Sequence, residues 1–247
     1  MRVCSGTTGG RFRAAAGQTD RVTGGSQAAV AARIPGAAGL GLVAPAGAAV
    51  VPGTALADPA WTARLLGGGP DPRVAATVWW YSLSLVLVTP PLAGLVVGVP
   101  LSARLTDLSV AFSQGRPVAA VSSGEGGDAA ADLRATLAAV VSAAAEAGRM
   151  RERPLWAIAT DSLANRLLAL GEAAGDVDRA TGLAAPLAAG VGPPLPMPRY
   201  EDVAGRRFVR RASCCLLDRL PGMPTCTSCP HRPPAERRRL LERAARC

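Results

Sequence analysis

Between Asp128 and Met150 the apolar residues Leu133, Leu137, Val140 and Val141 recur at helical spacing, and Ala144 extends the same face. Pro154 interrupts the pattern, which resumes with Leu155, Ile158, Leu163, Leu167, Leu168 and Leu170 and predicts a second helix ending at or soon after Gly171. Upstream, Asp58 offers a cap and Pro59 fits the first helical position, so a short helix is expected over Asp58–Leu66. The stretch from Val74 to Ala103 carries no charge. Its length would suffice for a membrane span, but Pro90-Pro91 in its middle ends any helix just before it. Two buried core helices are expected instead, one ending near Val88 and one starting at the prolines.

Shorter elements follow the same logic. Leu108–Ser113 and Pro117–Ser122 flank Gln114-Gly115 and read as a β-hairpin. Gly124–Gly127 form a loop, and a short helix is expected over Val177–Ala189. The run "GVGPPLPMPRY" is a proline-rich connector, Arg206–Ser213 a strand, and "PPAERRRLLERAAR" a terminal helix. The fold class is α+β: a helix-rich body with a small antiparallel β-hairpin or sheet, and a C-terminal cysteine module. Three regions are expected: residues 1–56 as a disordered low-complexity leader, 57–192 as the helical body, and 193–247 as the cysteine module. Within the leader, Ala55-Leu56-Ala57 before Asp58 superficially fits a signal-peptide cleavage site. The preceding region is over thirty residues long, however, and Gly and Pro break its apolar run.

Composition adds little. Apolar residues make up 49% of the 247, but aromatics only 4%, so alanine and glycine supply much of the count. All 27 basic residues are arginine, as a GC-rich coding bias produces. Charge is more informative because it is uneven. Residues 199–247 hold 12 Arg against 5 acids, +7 of the net +9. Nucleic acid, an anionic substrate, a buried anion and a solvated surface are all consistent with such a run.

The chemistry lies in "CCLLDRLPGMPTCTSC", Cys214 to Cys229: two adjacent cysteines, ten residues, then C-x-x-C. Structural disulfides fit poorly, since a Cys214–Cys215 bridge would be a strained vicinal ring. Zinc competes: Cys226 and Cys229 form one knuckle, and His231, the single histidine, could replace a ligand on the other side. A [2Fe–2S] centre fits the spacing better. Each iron wants two thiolates: the C-x-x-C knuckle can serve one and the Cys-Cys pair the other, if a turn directs both sulfurs inward. Pro221, Gly222 and Pro224 let the intervening loop fold back. With one histidine and no G-x-G-x-x-G, hydrolytic catalysis of the Ser/His/Asp kind and dinucleotide binding have no support.

The segment "RRASCCLLDRLPGMPTCTSCP", Arg210–Pro230, resembles the C-terminal C-C-x₁₀-C-x₂-C motif of the FhuF-like ferric-siderophore reductases, and "DPRVAATVWWYSLSLVLVTPPLAG" from Asp71 looks like the helical body of actinobacterial members. The resemblance covers about residues 58–247. It implies a [2Fe–2S] cluster on Cys214, Cys215, Cys226 and Cys229, as both cofactor-binding and metal ligands, with no separate catalytic residue. It implies a cytoplasmic ferric iron reductase, with peripheral membrane association left open. The partners would be a ferric siderophore or other ferric chelate and an external electron donor such as a ferredoxin or flavin reductase, with no nucleic acid. Arg210, Arg211 and Arg219 lie close enough in sequence to influence the cluster's potential or to steer a chelate. The alternative is a zinc- or cluster-bearing structural or regulatory module whose Arg-rich end binds nucleic acid or a partner protein.

Overall fold

The protein is described here by a computed structural model covering residues 25–67 and 71–246. Its helices are α1 (Gly25–Ala32), α2 (Pro59–Leu66), α3 (Pro72–Leu87), α4 (Thr89–Val97), α5 (Ala129–Ala147), α6 (Arg153–Ala174), α7 (Val177–Gly182), α8 (Ala184–Val191) and α9 (Pro234–Ala245). Its strands are β1 (Ala49–Pro52), β2 (Leu108–Ser113), β3 (Arg116–Ser122), β4 (Tyr200–Val203) and β5 (Arg206–Val209). This is an α+β architecture: a helix-rich body, a three-stranded antiparallel sheet in the order β1-β2-β3, and a separate β4-β5 hairpin leading into the cysteine loop.

The uncharged run forms α3 and α4, broken at Val88 just ahead of Pro90-Pro91. Taken as one apolar stretch, Pro72–Val97 is long enough to cross a membrane, yet 72% of its apolar 18-residue window is buried inside the protein. The α3 helix packs on α5 and α6. Trp80 has no exposed surface, and its indole N–H donates to the Leu155 carbonyl at 2.8 Å. Ser84 and Ser162 meet hydroxyl to hydroxyl at 2.7 Å, so the one polar contact between the helices at that level is satisfied. Leu83 and Leu87 are buried; Leu85 is only half-buried, on the outer side of the helix. On α5 the expected face of Leu133, Leu137, Val140, Val141 and Ala144 is fully inside.

The expected leader does not hold from Gly25 onward. Val30, Ile34, Leu42 and Leu56 enter the same core as α3 and α5, and β1 pairs antiparallel with β2, Val51 opposite Val110. The buried Gln27 amide donates to the carbonyls of Leu42 and Ala120 and accepts from the Ser122 N–H. Three long-range backbone groups are thereby satisfied by one side chain. Residues 36–57 are therefore part of the folded body. Residues 1–24, with Cys4, and Cys247 lie outside the described residues.

The α6 helix ends at Ala174, soon after Gly171 as expected, and that glycine lets α7 approach closely: a Cβ there would lie 2.8 Å from the Ala180 Cβ. Two further elements differ from expectation. The helix expected over Val177–Ala189 is two short ones, α7 and α8, meeting at Leu183. The strand expected over Arg206–Ser213 stops at Val209 and pairs with β4 across a two-residue turn. Ala204 and Gly205 in that turn both have positive φ, 50° and 78°, matching the twist of a tight hairpin.

Candidate metal centre

The cysteine segment is anchored before it begins. Arg210 N–H donates to Arg199 O at 2.9 Å, extending the β4-β5 pairing by one rung. The next residues fold onto α6, where the Asp161 carboxylate accepts from the Ala212 and Ser213 N–H groups at 2.7 and 3.2 Å and from Arg211 Nε at 3.4 Å. Both partners of that ion pair are buried, the Arg211 side chain 4% exposed and Asp161 2%. From beneath, the Tyr81 ring on α3 supports the guanidinium, whose carbon stands 5.2 Å from the ring centroid. A chain of contacts thus runs from the body core to the first cysteines.

Arg211 Nη1 donates to the sulfurs of Cys215 at 3.6 Å and Cys226 at 3.4 Å. After the cysteine pair, Leu216 takes a left-handed conformation (φ 56°), reversing the chain so that its N–H donates to Cys214 Sγ at 3.4 Å. A β-carbon residue in that region is strained, and the surrounding contacts must hold it there. On the far side of the loop, Arg232 donates to Cys226 O and Thr225 O at 2.9 and 2.6 Å and pairs with Glu236, tying the C-x-x-C knuckle to the first turn of α9.

The four expected ligands, Cys214, Cys215, Cys226 and Cys229, are all free thiols within this one loop; Cys215 and Cys229 are buried, Cys214 and Cys226 half-buried. Across the loop Cys215 lies within interaction range of Cys226, and Cys214 of Cys229. His231 is exposed. Among the described residues, no three His, Cys, Asp or Glu side chains converge as a ligand set for a single ion.

The electrostatics are asymmetric. The Cys226 thiol donates to Cys215, and that bond lowers the Cys215 pKa to about 5 against the opposing effect of burial, with Arg211 adding to the fall. Cys226 is pushed up by the same bond and by burial, and Cys214 is pushed up chiefly by burial. Burial also raises Asp161, while its two backbone donors and Arg211 pull it back. Burial works against the charge on Arg211, but the Cys215 contact and the nearby negative groups hold it protonated, above its ordinary value. Iron is ligated by thiolate rather than thiol, so a loop that already favours one thiolate is part-way to a metal site.

A [2Fe–2S] group fits these residues. The donor set is four thiols and nothing else, as such a cluster requires. One buried atom, Arg211 Nη2, has no hydrogen-bond partner; an anionic sulfide-bearing group beside the thiols would supply the missing acceptor. Residues 211–231 match the family model described as the FhuF 2Fe-2S C-terminal domain. The cysteine segment is therefore similar to that 2Fe–2S domain. No curated protein and no solved structure matches the chain.

Of the three arginines singled out by sequence near the FhuF-type motif, only Arg211 touches sulfur; Arg210 and Arg219 are exposed. Asp161, Tyr81 and Arg232 had not been identified. For Asp161 a signal existed: a lone carboxylate in "WAIATDSLAN", three residues after Ile158 on the apolar face of a buried helix. An acid there is retained only when something distant pairs with it.

Proposed function

We propose that the protein is a cytoplasmic ferric-siderophore reductase, an oxidoreductase that passes one electron to chelated Fe(III) and releases Fe(II). The observation that carries this reading is the buried Arg211, bonded to two of the four thiols inside an FhuF-type 2Fe–2S domain. The cluster, held by Cys214, Cys215, Cys226 and Cys229, would supply one electron at a time. The chain's own residues do the rest. Arg211 offsets the negative charge that accumulates on reduction, Asp161 fixes the guanidinium in place, and the half-buried Cys214 and Cys226 leave one side of the loop open to a partner. Siderophores hold Fe(III) through hard oxygen donors and Fe(II) far less tightly, so a single electron frees the metal without breaking the organic ligand. The electron would come from a separate donor such as a ferredoxin or flavin reductase. Burial of most of the apolar run within the body supports a location off the membrane.

The test is direct. Protein purified without oxygen and reduced with dithionite, then freed of excess reductant, is mixed with ferric siderophores while a chromogenic chelator traps Fe(II). One Fe(II) per reduced cluster is expected, with reoxidation of the visible spectrum in step. Reoxidation without Fe(II) points to a plain electron carrier. Duplex-dependent, salt-sensitive binding without electron transfer points to the nucleic-acid module.

A further inference from the structure

Beside the cysteine loop lies a cavity of about 540 Å³ between the first turns of α6, the proline-rich connector and the start of the cysteine segment. That volume is in the range of small-ligand sites. Its walls carry four arginines, Arg153, Arg199, Arg210 and Arg211, with Met197 and Pro196 giving an apolar side, and no carboxylate. Arg211 is neutralised from behind by Asp161. Arg153, Arg199 and Arg210 are exposed, and among the described residues no side-chain hydrogen bond or ion pair is formed by them. The acid next to Arg153 in sequence, Glu152, accepts from the Trp156 indole at 3.2 Å and does not line the cavity.

Like charges gathered in a concavity repel one another, and Arg153 adds to this by standing in the first turn of a 22-residue helix, where the helix dipole disfavours a cation. Three uncompensated cations plus the positive end of a helix make an anion site, and concave walls concentrate that field. Arg211 links the site to the redox centre: one face of the residue lines the cavity while Nη1 reaches Cys215 and Cys226.

We infer that this cavity is the chelate dock and that it selects ferric chelates of net negative charge, such as catecholate or carboxylate types, over neutral trihydroxamates. Planar catecholate rings also stack on guanidinium groups, and Met197 and Pro196 take the organic backbone. This inference rests on the reductase reading but is tested apart from it, because binding is measured with gallium(III), which accepts no electron under these conditions. Calorimetric titration of the cluster-loaded full chain should show the anionic gallium tricatecholate binding at least about tenfold tighter than the neutral gallium trihydroxamate at low salt, converging as salt screens the site. The double variant R199E/R210E should lose that preference, weakening tricatecholate binding about tenfold or more, with trihydroxamate binding and the visible spectrum of the cluster unchanged. R64E, at an exposed position of α2, should behave as wild type.

Equal affinity for the two gallium chelates, or indifference of the tricatecholate to R199E/R210E, overturns the inference. So does the finding that the double variant loses only the binding of an acidic ferredoxin-type donor, which would make these arginines a protein dock. Fe(II) release from trihydroxamates without charge preference in binding removes this inference and leaves the reductase reading standing. Charge-selective binding without Fe(II) release supports the inference and removes the reductase reading.

Discussion

The helical body and the cysteine module are held together by different physics. In the body, large apolar side chains such as Trp80, Leu83, Leu87, Leu92, Leu133 and Leu137 have essentially no exposed surface and share one core. In the module from Arg199 onward, the buried apolar side chains are few: Val203, Val209 and Leu241, with Cys215 and Cys229 among the most buried residues. Its other ties are polar: arginine contacts from Arg207 to Asp202 and Asp178, Arg211 to Asp161 and Arg232 to Glu236, the Ala212 and Ser213 N–H bonds to Asp161, and the Tyr200 hydroxyl on the Ala164 carbonyl. A segment this size with so little apolar burial depends on a metal group or on its neighbour for its fold. The body stands on hydrophobic burial, the module on ligation and on docking to α6.

The largest effect should come from the body. A charge at Leu87, 1% exposed, has no partner and no room. Leu87→Arg is expected to cost more than about 4–5 kcal/mol and to leave no folded protein, read as loss of the cooperative thermal transition. Retention of a normal transition, or recovery of the variant folded in detergent-extracted membranes, would show that α3 is not core.

Next, Asp161→Ala strands the Arg211 guanidinium in the interior. Removal of one partner of a buried pair costs about 3–5 kcal/mol, and here it also removes the acceptor for two backbone N–H groups. The module should detach: faster proteolysis between Arg199 and Cys214, together with cluster loss. Susceptibility equal to wild type would mean that the docking contact is dispensable.

A ligand change should separate the two regions cleanly. Cys226→Ser is expected to abolish or strongly perturb the visible and EPR signals of the cluster while the far-ultraviolet signal of the body helices survives. Loss of both together would show that the module and the body fold as one unit.

Smaller effects sharpen the electrostatics. Arg211→Gln should lower the cluster midpoint potential by roughly 65–130 mV, the one-electron equivalent of about 1.5–3 kcal/mol for a lost charge-assisted hydrogen bond. An unchanged midpoint would remove Arg211 from the redox chemistry. In the cluster-free protein, the Cys226 thiol holds the Cys215 pKa down at about 5, well below the ordinary thiol range. A depressed folded value contributes stability that is present above the unfolded pKa and lost as pH falls through the folded one. Thiolate absorbance attributable to Cys215 should therefore persist to about pH 5 and vanish in Cys215→Ser, while the linked stability declines as pH falls from the ordinary thiol range to about 5.

The body was legible wherever periodicity survives the composition. On α5 the apolar positions read from spacing are the buried ones, and Pro90-Pro91 marks the α3/α4 break because proline's missing N–H acts locally. Residues 25–56 were not legible. Their Gly/Ala-rich pattern carries little amphipathic signal, and what holds them is long-range, such as Gln27 reaching Ala120 and Ser122. The cysteine loop shows the same divide. The thiols announce themselves by spacing, but which sulfur faces which depends on a left-handed Leu216 and on Arg211, whose counter-ion lies 50 residues upstream. A contact across that separation leaves no mark on local pattern.

The α6 helix packs against α3, α4, α5, α7 and β5, and carries Asp161 near its middle. Through that carboxylate, the start of the cysteine loop is bolted to the most thoroughly braced element of the molecule. When the loop's charge changes by one unit, the dipoles and the guanidinium facing it are already oriented and have little freedom to swing. For the proposed electron exchange this would keep the reorganisation energy small: the polar surroundings are set during folding instead of being rearranged at each transfer. A redox centre on a loosely tethered tail would have to reorder its surroundings every time.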